Sequence, residues 1–217
     1  MRVLYISLAV FFADQISKLA IKGFSIPFLN VHWEGMYIGE SIEIIGTFLR
    51  ITFVENPGMA FGFEVSIIQK LFLSIFTLIA AVAIFYYLYR SKNSSLALRI
   101  GLALILGGAL GNLMDRAFYG LFYDYAPLFY GKVVDFIQVE FWDFTLFGKT
   151  YETWPIFNIA DSSVSVGVAI ILIFYREEKK EKVDTTEEVS SDNNETDSPQ
   201  PQILENGENS NREEISI

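Results

Sequence analysis

The sequence predicts a membrane all-α bundle of four transmembrane helices with a small extracytoplasmic β-rich element and a disordered C-terminal tail. Four apolar stretches predict the bundle, because each approaches the roughly 20 mostly apolar residues that a helix needs to cross a bilayer. An uneven distribution of charge predicts the tail. Residues 177–217 contain thirteen acidic and four basic residues, a net charge of −9, whereas residues 1–176 carry only −1 of the total of −10. We therefore expect a membrane domain, 1–176, followed by an acidic cytoplasmic tail, 177–217.

Composition argues against several classes of function. Residues 1–176 contain only twelve basic residues, spread through a very apolar sequence, so no basic surface for nucleic acid is expected. The absence of cysteine excludes a disulfide framework, a thiolate metal site and a cysteine nucleophile. With a single histidine, His32, neither a histidine-based metal site nor a histidine relay is favoured.

The charged residues inside the predicted spans are few. The first span contains Asp14 and Lys18, the second contains no charged residue, and Asp161 is the one charged residue of the fourth. Arg2 precedes the first apolar run, as in a signal peptide, but no A-x-A-like cleavage site follows, so we expect a retained anchor. The four spans cover approximately residues 3–21, 71–89, 97–116 and 156–175.

Lysine and arginine predict the orientation of these spans, because both are enriched in short cytoplasmic loops. The short segments 90–99 and 176–182 contain three and four of them, whereas the long segments 22–70 and 116–155 contain three each. Both termini are therefore expected in the cytoplasm, with the two long segments on the outer side.

The two long outer segments are predicted to form the strand-rich element. Residues 48–54 show the alternation of a β-strand, and Asn56-Pro57-Gly58 is typical of a turn. Aromatic side chains in the second segment are expected at the level of the lipid headgroups: Phe118, Tyr119, Phe122, Tyr123, Tyr125, Phe129 and Tyr130.

Three carboxyl groups share one predicted depth in the membrane. With a rise of about 1.5 Å per helical residue, Asp14, Asp115 and Asp161 lie roughly 16, 24 and 21 Å from the cytoplasmic ends of their spans. All three fall at or near the outer third of a core about 30 Å thick, and Asn112 and Asn158 fall in the same layer. Ionisable residues inside membranes are costly and are commonly functional, so this layer is a candidate site.

Structural roles remain open for two of these carboxyl groups. Asp14 and Lys18 are four residues apart on one helical face and could simply form an ion pair, and Asp115 with Arg116 could be an anchor at the headgroups. Asp161 has no basic residue nearby on its helix, which favours a functional role.

Five motifs give the chain a resemblance to a known family. They occur in the order and topological positions found in the lipoprotein signal peptidases, also called signal peptidase II, and the resemblance covers roughly residues 4–175. The motifs are Asp14-Gln15-Ile16-Ser17-Lys18, Asn56-Pro57-Gly58-Met59-Ala60-Phe61-Gly62, Gly111-Asn112-Leu113-Met114-Asp115-Arg116, Val134-Asp135-Phe136 and Phe157-Asn158-Ile159-Ala160-Asp161.

The resemblance implies an intramembrane aspartic endopeptidase of the bacterial inner membrane. Such an enzyme removes signal peptides from prolipoproteins by cleaving on the amino side of a diacylglyceryl-modified cysteine, and it needs no metal or cofactor. Asp135 and Asp161 match its catalytic pair. The family pattern also implies substrate-binding roles for Asn56, Asn112, Arg116 and Asn158, and supporting roles for Asp14, Lys18, Asp115 and Gly58. We expect a monomer surrounded by membrane lipids, with the active site near the outer face.

Without the resemblance, the choice of Asp135 stays open. Asp124 and Asp143 lie in the same outer segment and are equal candidates by composition, although the apolar neighbours of Asp135 suit a perturbed carboxyl group. Two stretches, 119–132 and 139–153, make this segment longer than in compact members of the family, and we expect both to be surface elaborations. A small four-span proton- or cation-coupled transporter is the alternative function, because outer carboxylates could bind its ion.

Overall fold

The computed structural model describes residues 2–58, 66–146 and 149–175. The predicted acidic tail, 177–217, lies outside the described residues, as does the second half of the motif that begins at Asn56. Within the described part, helices and two small antiparallel sheets account for most of the chain.

Four long helices form the helical body of the described residues. Their α-helical bounds are α1 Leu4–Lys22, α2 Ile67–Arg90, α3 Leu96–Met114 and α4 Ile159–Ile170. Two of them continue through a π-helical turn, α3 through Asp115–Tyr119 and α4 through Ile171–Tyr175.

Three of the helical segments are long and apolar enough to cross a membrane: Leu4–Lys22, Ile67–Arg90 and Leu96–Phe122. The apolar helix at the fourth predicted span, Ile159–Phe174, is shorter. It begins three residues later than predicted because residues 156–158 connect it to the sheet and Asn158 forms its cap. The third span extends to Phe122, six residues past its predicted end, since the π-helical turn lets the helix continue.

Helix α3 packs against all three other helices, and its glycines permit the close approach. A Cβ atom on Gly107 would lie 2.8 Å from Val10 Cβ of α1, and one on Gly108 would collide with the carbonyl oxygen of Ala160 in α4. Small residues allow such contacts between membrane helices. Ser7 adds a buried hydrogen bond from α1 to the Ala103 carbonyl, at 2.7 Å.

The strands of the described residues form two sheets. The smaller pairs β1, Phe24–Ile26, with β2, Val31–Trp33. The larger has the antiparallel order β3-β4-β5-β6, so the predicted strand at 48–54 is confirmed as β4. The strands of the larger sheet are β3 Ser41–Ile45, β4 Leu49–Asn56, β5 Val133–Leu146 and β6 Lys149–Thr153.

The sheet and the helical body meet at the start of α4. The N–H groups of Phe136 and Ile137 donate to the Phe157 carbonyl at 3.1 and 2.7 Å, and Phe157 N–H donates back to Ile137 at 3.1 Å. These bonds hold β5 beside the first residues of α4. Phe53 of β4 and Val134 of β5 belong to one buried apolar core, which also contains Phe136.

The expectation that the stretch 119–132 is a surface elaboration is wrong at Tyr119. Its side chain is only 1% exposed, because the π-helical turn continues α3 and the ring packs in the apolar core with Phe53 and Val134. The stretch 119–132 therefore begins inside the protein. The other long stretch, 139–153, contains the pairing of β5 with β6 at the edge of the sheet.

Candidate active site

Asp135 lies on β5 and is 3% exposed. Its position on the strand is fixed by pairing with β4, where Val54 faces Asp135 and Asn56 faces Val133. Two amide groups donate to the carboxyl group: Asn158 Nδ2 to Oδ1 at 2.6 Å and Asn56 Nδ2 to Oδ2 at 3.0 Å. Both oxygens of this buried carboxyl therefore have partners, as buried polar groups require.

The turn after β4 fixes the orientation of the Asn56 amide. Gly58 has a φ of 103°, a backbone conformation that residues with a Cβ rarely adopt. In this conformation the Gly58 N–H donates to Asn56 Oδ1 at 2.8 Å. The Nδ2 of Asn56 is then the group that faces Asp135.

Asp161 is positioned by the first turn of α4. Asn158 is the N-cap residue: its Oδ1 accepts from Asp161 N–H at 3.0 Å, and Asp161 Oδ2 accepts from Asn158 N–H at 3.3 Å. This reciprocal pattern is a capping box, which satisfies two N–H groups that would otherwise lack partners at the helix start. Asn158, three residues before Asp161, therefore caps the start of the helix and orients the Asp161 carboxyl group.

Two asparagine side chains connect the two carboxyl groups. Asn112 Nδ2 donates to Asp161 Oδ1 at 2.8 Å, and Asn112 Oδ1 accepts from Asn158 Nδ2 at 3.1 Å. Because Asn158 also donates to Asp135, the site is continuous from Asp135 through Asn158 and Asn112 to Asp161. The carboxyl groups come from a strand and a helix 26 positions apart in sequence, and the fold brings them to one place.

The residues around Asp135 raise the pKa of its carboxyl group. Burial, followed by repulsion from Asp161, raises its pKa to about 7, although hydrogen bonds from Asn56 and Asn158 and the charge of Lys18 oppose the change. Burial disfavours the charged form of a carboxyl group, and a second carboxyl nearby adds to the effect. Asp135 can therefore hold a proton near neutral pH.

Arg116 and an open cavity lie beside Asp161. The cavity has a volume of about 390 Å³ and is lined by residues of α2, α3 and α4, including Asn112, Arg116 and Asp161 at its polar end. Its other walls are largely apolar, with Phe76 and Ile105 among them. The Arg116 guanidinium is close enough to interact electrostatically with Asp161 and Asp135.

A buried ionic cluster lies next to the candidate site. Lys18 Nζ lies 2.8 Å from Asp14 Oδ2 and 2.8 Å from Asp115 Oδ2, and all three side chains are 0% exposed. Lys18 also donates to Asn112 Oδ1 at 3.0 Å. The i, i+4 pair expected from the sequence is therefore present, but it belongs to a larger cluster that contacts the candidate site. Asp115 is buried, so it is not a headgroup anchor.

Sequence reasoning missed two members of this cluster, Gln15 and Tyr119. Gln15 Nε2 donates to both buried acids, and Tyr119 OH donates to Gln15 Oε1 at 3.1 Å. Gln15 could have been found from the sequence, because it is a polar residue inside an apolar span. Tyr119 follows Asp115 at i+4, a spacing that places residues on one helical face, but the helix was expected to end at 116.

A second ion network supports the strand that carries Asn56. Glu55, adjacent to Asn56 on β4, is paired with Lys22 at the end of α1 and with Lys132 before β5, the latter at 2.9 Å. Lys22 Nζ also lies 4.2 Å from the centre of the Tyr123 ring. Burial alone would raise the pKa of Glu55, but hydrogen bonds and charges from the two lysines lower it below 4.5 overall.

We expect Glu55→Gln to reduce thermal stability at neutral pH, since the amide loses both ion pairs. A pKa lower in the folded than in the unfolded protein stabilises the fold above the unfolded pKa. That stabilisation is lost as the pH falls through the folded pKa. The melting temperatures of the two proteins, measured in detergent, should therefore differ at pH 7 and converge well below pH 4.5. A constant difference across this range would contradict the assignment.

Asp124, one of the two alternative carboxyl groups, is not part of the site. Asp124 is exposed and has a φ of 53° in the loop after α3, and the side chain of Asp143 lies outside the described residues. Among the residues that the structure describes, no group of three or more histidine, aspartate or glutamate side chains could hold a metal ion.

Comparisons with known proteins show the family of this chain. The family model described as Signal peptidase (SPase) II matches residues 6–176. The lipoprotein signal peptidase of Syntrophus aciditrophicus (strain SB) is 38% identical over 149 residues, which cover 67% of this chain and 81% of that protein. The lipoprotein signal peptidase of Chlorobaculum tepidum (strain ATCC 49652 / DSM 12025 / NBRC 103806 / TLS) is 33% identical over 172 residues, which cover 78% of this chain and 91% of that protein.

Two solved structures of bacterial membrane enzymes are similar to this chain in fold. A bacterial membrane enzyme determined by the in meso method at 2.3 Å resolution is 32% identical, with a TM-score of 0.60, and the match covers 83% of this chain and 91% of that one. A second such enzyme, at 1.9 Å resolution, has a TM-score of 0.57 and 33% identity over 79% of this chain and 90% of its own. The transporter alternative is therefore not favoured, and the chain belongs to the signal peptidase II family of membrane proteases.

Proposed function

We propose that this protein removes signal peptides from prolipoproteins by hydrolysing the peptide bond on the amino side of a diacylglyceryl-modified cysteine. Asp135 and Asp161 are the catalytic pair. The observation that carries this proposal is the continuous chain of hydrogen bonds that joins the two carboxyl groups through Asn112 and Asn158.

The chemistry requires one protonated and one ionised carboxyl group. Asp135, whose pKa is raised to about 7, holds the shared proton and donates it to the carbonyl oxygen of the scissile bond. Asp161 accepts a proton from the water that attacks the carbonyl carbon. Two neighbouring carboxyls can share one proton in this way because both cannot readily ionise together. The proton then passes to the departing amine as the bond breaks.

The polar groups around the pair suit an extended peptide. Asn56, Asn112 and Asn158 each carry an amide that can donate and accept hydrogen bonds. Arg116, at the polar end of the cavity, supplies a cation that stabilises negative charge developing on the carbonyl oxygen. We assign these four residues to substrate binding, while Asp14, Lys18, Asp115 and Gly58 hold them in place.

In the membrane we assign α4 as the fourth span. With its π-helical continuation it reaches Tyr175, and Leu172, Ile173 and Phe174 expose large apolar side chains, as contact with lipid favours. Both termini then lie in the cytoplasm of the bacterial inner membrane, and the catalytic pair lies near the outer face. The protein acts as a monomer among membrane lipids.

The lipid on the substrate is expected to contribute strongly to cleavage. Two acyl chains anchor the cysteine in the bilayer and position the scissile bond at the depth of the pair, which lowers the entropic cost of alignment. We expect kcat/KM for a diacylglyceryl-modified prolipoprotein to exceed that for the unlipidated precursor by about 10²-fold or more. The measurement is cleavage by purified enzyme in detergent micelles, followed by mass analysis of the new amino terminus.

Three results of this experiment would be decisive. A product that begins with the lipidated cysteine supports the proposal. Equal rates for the lipidated and unlipidated precursors would remove the substrate assignment and leave the protease assignment intact. No cleavage of either precursor would contradict both.

A further inference from the structure

Two fully buried acids hold the backbone beside the catalytic pair. Asp115 Oδ2 accepts from Val134 N–H at 3.1 Å, and Asp14 Oδ1 accepts from Ala160 N–H at 2.9 Å. Val134 and Ala160 are the residues that immediately precede the two catalytic aspartates, and both are 0% exposed. The distance between the two buried acids therefore helps to set the distance between the two catalytic carboxyls.

Gln15 bridges these two acids directly. Its Nε2 donates to Asp14 Oδ2 at 3.1 Å and to Asp115 Oδ1 at 3.0 Å, and it also lies 3.1 Å from the Gly111 carbonyl oxygen. Its other amide atom, Oε1, accepts from Tyr119 OH at 3.1 Å. The hydroxyl group thus fixes the orientation in which the Gln15 NH₂ group faces both acids.

Lys18 cannot supply this bridge alone. One ammonium group faces two carboxylates, so the cluster carries one excess negative charge when both acids are ionised. Like charges repel strongly where water is excluded, and a neutral double donor between them offsets part of that repulsion. Removing the donor would leave the buried Asp115 Oδ1 without its hydrogen bond, which is costly. Asp14 Oδ2 would keep only its contact with Lys18, and the two acids would move apart.

We propose that Gln15, oriented by Tyr119, is a positioning residue that sets the spacing of the two catalytic carboxyls through Asp14 and Asp115. The inference rests on the proposed catalytic roles of Asp135 and Asp161. Gln15 does not touch the reacting atoms. It acts on the rate of the chemical step by holding the two backbone segments that carry the pair.

The test compares purified full-length variants with the diacylglyceryl-modified prolipoprotein as substrate. Gln15→Met keeps the length of the side chain and removes both donated bonds. We expect kcat to fall by about 10–100-fold, since misplacement of catalytic groups by about 1 Å has effects of this size, while KM changes little. Gln15→Glu, which can donate one hydrogen bond when protonated, should give an intermediate kcat. Tyr119→Phe removes only the orienting hydroxyl and should lower kcat by a smaller factor.

Ser7→Ala is the matched control, because it removes a buried hydrogen bond between α1 and α3 away from the cluster. It should leave kcat unchanged. If Gln15→Met lowers the melting temperature without changing kcat of the folded enzyme, or if Ser7→Ala lowers kcat equally, the inference is wrong. Should Gln15→Met fail to fold, an unchanged kcat in Tyr119→Phe overturns the inference. Asp135→Asn separates the two proposals: an active Asp135→Asn enzyme refutes the catalytic pair itself.

Discussion

Asp135→Asn and Asp161→Asn should each nearly abolish cleavage while leaving the protein folded and inserted in the membrane. Each change keeps the shape of the side chain and removes the carboxyl group that carries a proton in the reaction. A single acid–base group contributes about 10²–10⁴-fold to the rate, so we expect kcat to fall at least this far. Conversion of lipidated precursor by equal amounts of folded enzyme gives the measurement.

Asp124→Asn provides the matched control for these variants. Asp124 lies in the same outer segment, is exposed, and has a positive φ that asparagine also tolerates. We expect full activity from this variant. Retention of wild-type activity by either Asp135→Asn or Asp161→Asn would instead refute the assignment of the pair.

Lys18→Met should cause the largest loss of stability. The substitution leaves two fully buried carboxyls, Asp14 and Asp115, without their common cation. Removal of one partner from a buried ionic group costs about 3–5 kcal/mol. The loss should appear as a strongly lowered melting temperature in detergent, together with loss of activity, because Lys18 also donates to Asn112.

A second substitution checks the cause of this loss. Adding Asp14→Asn to Lys18→Met removes one uncompensated charge, so the double variant should be more stable than Lys18→Met alone. Lys70→Met, at a half-buried lysine outside the cluster, should have little effect. If Lys18→Met melts at the wild-type temperature, the buried cluster does not stabilise the bundle.

Periodicity and apolar length predicted much of the fold. Three of the four predicted spans correspond to helices long enough to cross a membrane. They could be predicted because a helix that crosses a bilayer needs a long run of apolar residues. The depth argument also placed Asp161, Asn112 and Asn158 in one layer, and the structure joins them by hydrogen bonds.

The depth of residues within the predicted spans could not identify Asp135 as a site residue. It lies on a strand, and its closeness to Asp161 depends on the register of β4 and β5 and on the bonds between Phe157 and β5. Pairings between segments distant in sequence leave no periodic signal, so only the family resemblance selected it over Asp124. Tyr119 was misplaced for a related reason, since a π-helical turn has no clear sequence signature.

The pH dependence of kcat/KM for the lipidated precursor tests the shared-proton mechanism most directly. One carboxyl must be protonated and the other ionised, so the rate should follow a bell-shaped profile. Because the pKa of Asp135 is raised to about 7, Asp135 holds its proton below this pH and loses it above this pH. This loss of the proton sets the alkaline side of the profile. The rate should therefore fall as the pH rises through about 7, and also at acidic pH once both groups are protonated. A rate that stays constant or increases from pH 6 to pH 9 would contradict the mechanism.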